Sequence, residues 1–286
     1  MPFGAHMSIA GGMYQAVWRG QKAGCDTIQV FVKNANRWKA KELTEKDIND
    51  FLQALKETGI GPVVAHNSYL INLASPDEDL WLKSLEAMIV EVERCTSLGI
   101  PYLVMHPGAH SGAGEEVGLT RITNALNEII KRTEHSQVML LLETTAGQGS
   151  ILGGRFEHLA ELISSCYYPE RLGVCLDTCH IFTAGYDLRT AEACEKTFRE
   201  FDEIIGLDNL KAIHVNDSKG ELGSHRDRHE HIGMGQIGLE GFRWIVNNPL
   251  LNPLPMLLET PKGPDLKEDM DNLSLLRSLI EKQEYQ

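Results

Sequence analysis

The chain has 286 residues, 42% apolar and 23% charged, with 26 Gly and 11 Pro, a globular composition that excludes disorder, collagen and coiled coil. The length suits one α/β barrel and falls short of three domains. No apolar run approaches the roughly 18 residues of a membrane helix, residues 1–6 carry no basic and apolar leader, and the net charge of −13 by itself argues against a nucleic-acid partner.

In chain order, eight β-rich runs read as strands: 3–8, 27–33, 62–66, 102–106, 138–143, 173–177, 211–215 and 255–259. Most are continuous apolar runs, as expected for strands buried on both faces. Helix-period segments follow them at 11–23, 45–57, 77–98, 119–133, 155–165, 190–205, 239–248 and 265–283. Thr44 is placed to cap the second and Gly59 to stop it; Ser75-Pro76 opens the third and Gly99 closes it. Eight β-α repeats with no break in composition predict a single (β/α)8 TIM barrel over 1–286. Helix-to-strand connections 24–26, 59–61 and 99–101 are short. Strand-to-helix connections 34–44, 67–76, 107–118, 144–154, 178–189 and 217–238 are long, so the chemistry is expected at the C-terminal face of the strands. Cysteines 25, 95, 166, 175, 179 and 194 show no CxxC spacing, which suits reduced thiols in a cytoplasmic protein.

The strand ends carry the chemical signal. Strands three to six end in His66, His106, Glu143 and Asp177, strand seven carries His214, and strand eight ends in Glu259. One such end is ordinary, because polar residues often begin loops. Six in succession, all of metal-ligand type, point to a divalent cation, with Zn²⁺ suited and Mn²⁺ or Fe²⁺ as alternatives. His180 lies three residues past Asp177. Asp227 and His229 form a DxH pair that, in extended chain, points both side chains to one side.

These residues resemble the endonuclease IV family of metal-dependent apurinic/apyrimidinic endonucleases over nearly the whole chain. The resemblance is carried by Gly4-Ala5-His6, His66-Asn67-Ser68-Tyr69-Leu70-Ile71-Asn72-Leu73, His106-Pro107-Gly108, and Glu143-Thr144-Thr145-Ala146-Gly147-Gln148-Gly149. It continues through Asp177-Thr178-Cys179-His180, His214-Val215-Asn216-Asp217-Ser218-Lys219, Asp227-Arg228-His229 and Glu259-Thr260. It implies three zinc ions. Glu143 would bridge two, His66 and His106 would complete one site, and Asp177, His214 and Glu259 the other. His180, Asp227 and His229 would hold the third. The implied reaction is hydrolysis of the phosphodiester 5′ to an abasic site in double-stranded DNA, leaving a 3′-hydroxyl and a 5′ deoxyribose phosphate, with 3′-end trimming as a companion activity. Glu143 would also orient the attacking water. A monomer without organic cofactor is expected.

Three dications outweigh the four ligand carboxylates, so the site itself favours phosphate even in an acidic chain. Tyr69 and Leu70 match the family's inserted wedge. The family's DNA-inserting Arg falls where this chain has Asn36, and Arg37 is the expected substitute. Lys33, Lys39, Lys41, Lys219, Arg226 and Arg228 lie on rim loops, either facing phosphate or simply solvated.

Two rival readings remain at this stage. A sugar isomerase or epimerase would need Glu143, Asp177, His214 and Glu259 alone, leaving five candidate ligands without a role. A non-catalytic lesion sensor would need no complete ligand sets. The GxGxxG match at 233–238 follows a loop, not a strand, and is not read as a dinucleotide site. Cys175 and Cys179 are read as packing. His6, His110 and His231 are expected near the rim but not as ligands, and His135, His158 and His225 carry no signal.

Overall fold

The computed structural model describes residues 1–281. Eight parallel strands close into a barrel in chain order: β1 (Phe3–His6), β2 (Thr27–Phe31), β3 (Val63–His66), β4 (Tyr102–Met105), β5 (Met139–Glu143), β6 (Leu172–Asp177), β7 (Leu210–His214) and β8 (Met256–Leu258), which pairs back onto β1. Around them run α1 (Met13–Ala23), α2 (Glu45–Thr58), α3 (Glu78–Leu98), α4 (Glu115–Arg132), α5 (Phe156–Ser165), α6 (Thr178–Ala184), α7 (Ala191–Ile204), α8 (Leu239–Asn247) and α9 (Lys267–Ser278). This is the expected TIM barrel.

Local chemistry sets the helix ends. Thr44 and Asp47 cap α2 reciprocally, each side chain accepting from the other's backbone N–H, and Gly59 takes the left-handed stop. For α3 the cap is Asp77, whose carboxylate accepts from the Leu80 N–H at 2.8 Å, not the preceding Ser75-Pro76. Two expectations need correction. α4 begins at Glu115, four residues before the expected 119, and the expected loop 178–189 contains the short helix α6. Of the expected helix 265–283, residues Lys267–Ser278 are helical, and 282–283 lie outside the described residues.

Strand alternation builds the floor of the site. Val64, Val104, Leu141, Cys175, Ala212 and Leu257 point to the barrel axis and are fully buried. Each stands two residues before His66, His106, Glu143, Asp177, His214 or Glu259, so period two aims those six inward one layer higher. The intervening residues, Ala65, Met105, Leu142, Leu176, Ile213 and Leu258, pack under the helices. Burying each large aliphatic side chain contributes roughly 1.5–3 kcal/mol, and the inner layer seals the polar rim from below. At Gly4, inside the barrel, a Cβ would run into the Thr27 carbonyl oxygen; only glycine lets β1 approach β2 there. All six cysteines are free and buried. Among the described residues no helix is long and apolar enough to cross a membrane.

Candidate metal centre

The nine predicted ligands converge at one rim. Their donor atoms form three groups: His66, His106 and Glu143; Glu143, Asp177, His214 and Glu259; and His180, Asp227 and His229. Within each, the donor atoms lie inside 4.8 Å of one another. Glu143, fully buried at the end of β5, joins the first two. Its Oε2 lies 2.9 Å from His66 Nε2 and 3.0 Å from His106 Nε2, and its Oε1 lies 3.1 Å from His214 Nδ1. In the third group Asp227 Oδ1 lies 3.2 Å from His180 Nε2 and 3.4 Å from His229 Nε2.

Secondary structure aims these groups. Asp177 ends β6 and caps α6, accepting from the His180 N–H at 3.0 Å, so this cap turns His180 back toward the rim. A two-residue antiparallel ladder, Asp217–Ser218 with His229–Glu230, folds the long loop after β7 over the site and presents Asp227 and His229 together. The glycine-rich run 233–238 anchors that loop. The N–H groups of Gly233, Gly235 and Ile237 donate to the buried Asp217 carboxylate at 2.9, 3.0 and 3.0 Å. A Cβ on Gly235 would sit 2.5 Å from that carboxylate. The motif cradles a carboxylate of its own chain, not a dinucleotide.

Hydrogen bonds also fix the imidazoles. Nδ1 of His66, His180 and His229 donates to the backbone carbonyls of Asn67, Thr144 and Glu259 at 2.9, 2.8 and 3.2 Å. That turns Nε2 of each toward the site as the atom able to ligate. The buried Nε2 atoms of His180 and His229 have no hydrogen-bond partner among the described residues. Such atoms cost about 1–3 kcal/mol each when unsatisfied, and both converge on the Asp227 carboxylate. Nitrogen and oxygen donors in these groups fit a borderline divalent cation such as Zn²⁺.

The electrostatics agree. Burial pushes the Glu143 carboxyl upward, but the charges of His106 and His214 and the close approach of His106 and His180 hold it well below the ordinary carboxylate range. Burial lowers the proton affinity of His180, yet Asp177, Asp227 and Glu143 raise it well above the usual histidine value. Cys179 also approaches Asp177 and His229. Burial, then the Asp177 charge, pushes its thiol up to about 12, which keeps it protonated and suits the packing role.

A cavity of about 1040 Å³ opens above the groups, lined by His66, His106, His180, Asp227, His229 and Glu259 on its floor and by Phe31, Asn36, Tyr69, Lys219 and Arg228 on its walls. Tyr69 is 68% exposed, its ring edge-on to Phe31 at 5.2 Å, while Leu70 beside it is half-buried. Asn36 lines the cavity, and Arg37 is exposed just outside that lining. Lys33 borders the cavity but is not solvated. It is a buried cation between loops, bonded to Ser68 Oγ at 2.9 Å and the Arg37 carbonyl at 2.8 Å. Lys219 and Arg228 also line an adjoining cavity of about 510 Å³ with Arg226. His110 Nδ1 accepts from the Gly114 N–H at 3.1 Å and His231 Nδ1 meets the Asn272 amide at 3.0 Å, and neither residue belongs to a donor group.

Sequence reasoning missed Gln29 and Asn216. Asn216 is fully buried, donates to Asp177 Oδ2 at 2.8 Å and accepts from the Glu259 N–H at 2.7 Å, tying two donor strands together. It stood inside a quoted motif without a role. Gln29 interrupts the apolar β2, a polar residue at an inward position, and that was its only signal.

Comparison with known proteins places the chain in a family. The family model described as a xylose isomerase-like TIM barrel matches residues 19–279, which sets the class of (β/α)8 enzyme. A relative from Chloroflexus aurantiacus curated as "Probable endonuclease 4" is 53% identical over 279 residues, covering 98% of both chains. One from Geobacter sulfurreducens with the same name is 50% identical over 277 residues, covering 97% of this chain and 94% of its own length. The crystal structure of endonuclease IV from Thermus thermophilus superposes with a TM-score of 0.86 at 35% identity, covering 98% of both chains. The chain belongs to the endonuclease IV family and is a nuclease of that family.

Proposed function

We propose that this protein hydrolyses the phosphodiester 5′ to abasic sites in duplex DNA, leaving a 3′-hydroxyl and a 5′ deoxyribose phosphate, and that it trims blocked 3′ ends with the same centre. The observation that carries this reading is the sharing of Glu143 between two of three adjacent donor groups on the floor of an open cavity. Glu143, His66 and His106 would hold one zinc. Glu143, Asp177, His214 and Glu259 would hold a second, and His180, Asp227 and His229 a third. Bound there, the ions would supply Lewis acidity and lower the pKa of a coordinated water.

The chain's own side chains supply the rest. Glu143 orients the attacking water. Tyr69, exposed on a loop beside the cavity, wedges into the duplex with Leu70 and helps extrude the sugar. Asn36, Lys219 and Arg228 on the cavity walls, with Arg37 further out, meet the DNA backbone. The enzyme acts as a cytoplasmic monomer without an organic cofactor. The test is the end group. A duplex carrying one tetrahydrofuran abasic analogue is incubated with zinc-loaded protein, and the upstream fragment is offered to a DNA polymerase. Incision 5′ to the analogue and direct extension are expected. An intact duplex, or a fragment the polymerase cannot extend, refutes the reading.

A further inference from the structure

His214 is turned the other way from its neighbours. His66, His180 and His229 turn Nε2 to the site and bond Nδ1 to backbone carbonyls. His214 instead presents Nδ1 to the site, 3.1 Å from Glu143 Oε1, 3.6 Å from Asp177 Oδ2 and 3.4 Å from Glu259 Oε2. Its Nε2 meets a side chain, Gln29 Oε1, at 2.7 Å. Gln29 is fully buried on β2, across the barrel mouth from β7, and its amide nitrogen donates to Glu259 Oε1 at 2.5 Å and to His6 Nδ1 at 3.0 Å.

We infer that Gln29 is a positioning residue that holds His214 with its proton on Nε2 and its Nδ1 available as a ligand, while steering Glu259 so that Oε2 faces the same point. The inference rests on the proposed metal centre. Its chemistry is specific to an amide. The group must accept from an imidazole on one side and donate to a carboxylate and an imidazole on the other, and both N–H donors and the carbonyl are engaged. Turning the amide over would set its oxygen against the Glu259 carboxylate and its N–H groups against the His214 N–H. A carboxylate at this position would repel Glu259. A backbone carbonyl cannot be displaced by substitution, but Gln29 can, so His214 alone among these four histidines depends on a replaceable partner. Removing such a partner typically weakens metal binding by about 10–100-fold.

The test compares wild type with Gln29→Met, which keeps the shape and removes the amide. Nitrogen-15 NMR of the zinc-loaded wild type should show His214 bound through Nδ1 with the proton on Nε2, and His66, His180 and His229 bound through Nε2. Zinc competition with a chromophoric chelator should show one ion of the variant held about 10–100-fold more weakly, the others unchanged. Equal zinc affinities in a folded variant, or His214 bound through Nε2 in the wild type, would overturn the inference. If the variant does not fold, the wild-type spectrum decides alone. A wild type that binds no zinc at this group would instead refute the metal centre itself.

Discussion

Lys33 Nζ lies 3.2 Å from Glu91 Oε1, and both side chains are buried. Glu91 also accepts from the Ser68 hydroxyl at 2.8 Å and from the Ser68 N–H, while Lys33 donates to Ser68 and to the Arg37 carbonyl. One ion pair thus ties the loop bearing Asn36 and the loop bearing Tyr69 to the same turn of α3. Burial would push the Glu91 carboxyl upward even with Lys33 present, so removing the cation leaves a charge that low dielectric strongly disfavours. Lys33→Met should cost about 3–5 kcal/mol of stability, read by urea denaturation. The double variant Lys33→Met with Glu91→Leu should regain much of that. A single variant as stable as wild type would show the pair to be incidental.

Glu143→Gln keeps the shape and removes the charge shared by two donor groups. Incision of the abasic duplex should fall below detection, while binding of that duplex, measured by fluorescence anisotropy, persists. Near-normal turnover would remove Glu143 from the chemistry.

Much of this was legible in the sequence. Strands buried on both faces appear as continuous apolar runs, and inward residues at their C-terminal ends fall on His, Glu or Asp, so six candidate ligands announced themselves by position. What was hidden depended on partners far along the chain. Lys33 follows an apolar strand, and its buried ion pair stayed hidden because Glu91, on α3, is invisible to local pattern. Seven residues are too few for α6 to show a helical period, and its cap is itself a candidate ligand. Asn36 and Arg37 are adjacent, and only the loop's path decides which one reaches the cavity.

Zinc affinity should fall with acidity, and the sign follows from the histidines. Burial lowers the proton affinity of His214, but Cys175, Glu259 and Glu143 raise it well above 6.5, and His180 behaves alike. Below those raised values both rings are protonated and cannot ligate. Glu143, Asp177 and Glu259, held below their ordinary values against burial by the surrounding histidines, stay charged through the same range. Binding should therefore release protons and begin to weaken already above pH 6.5. Calorimetry in buffers of different ionisation enthalpy measures the release; pH-independent binding without proton release would contradict it.

Tyr69→Ala should weaken recognition of the lesion and leave the fold intact, because the ring is largely exposed. Losing one stacking aromatic is worth about 1–3 kcal/mol, so KM or Kd for the abasic duplex should rise roughly 5- to 150-fold with Tm unchanged. Unaltered affinity would mean that the ring does not enter the DNA.

The central claim is that nine side chains form three cation sites at one barrel mouth. Anomalous diffraction at the zinc edge from crystals grown with the metal tests it directly. Three peaks are predicted, two flanking Glu143 and one between His180, Asp227 and His229. A single peak among Glu143, Asp177, His214 and Glu259, with the other groups empty, would contradict it and favour the one-metal pattern of a sugar isomerase.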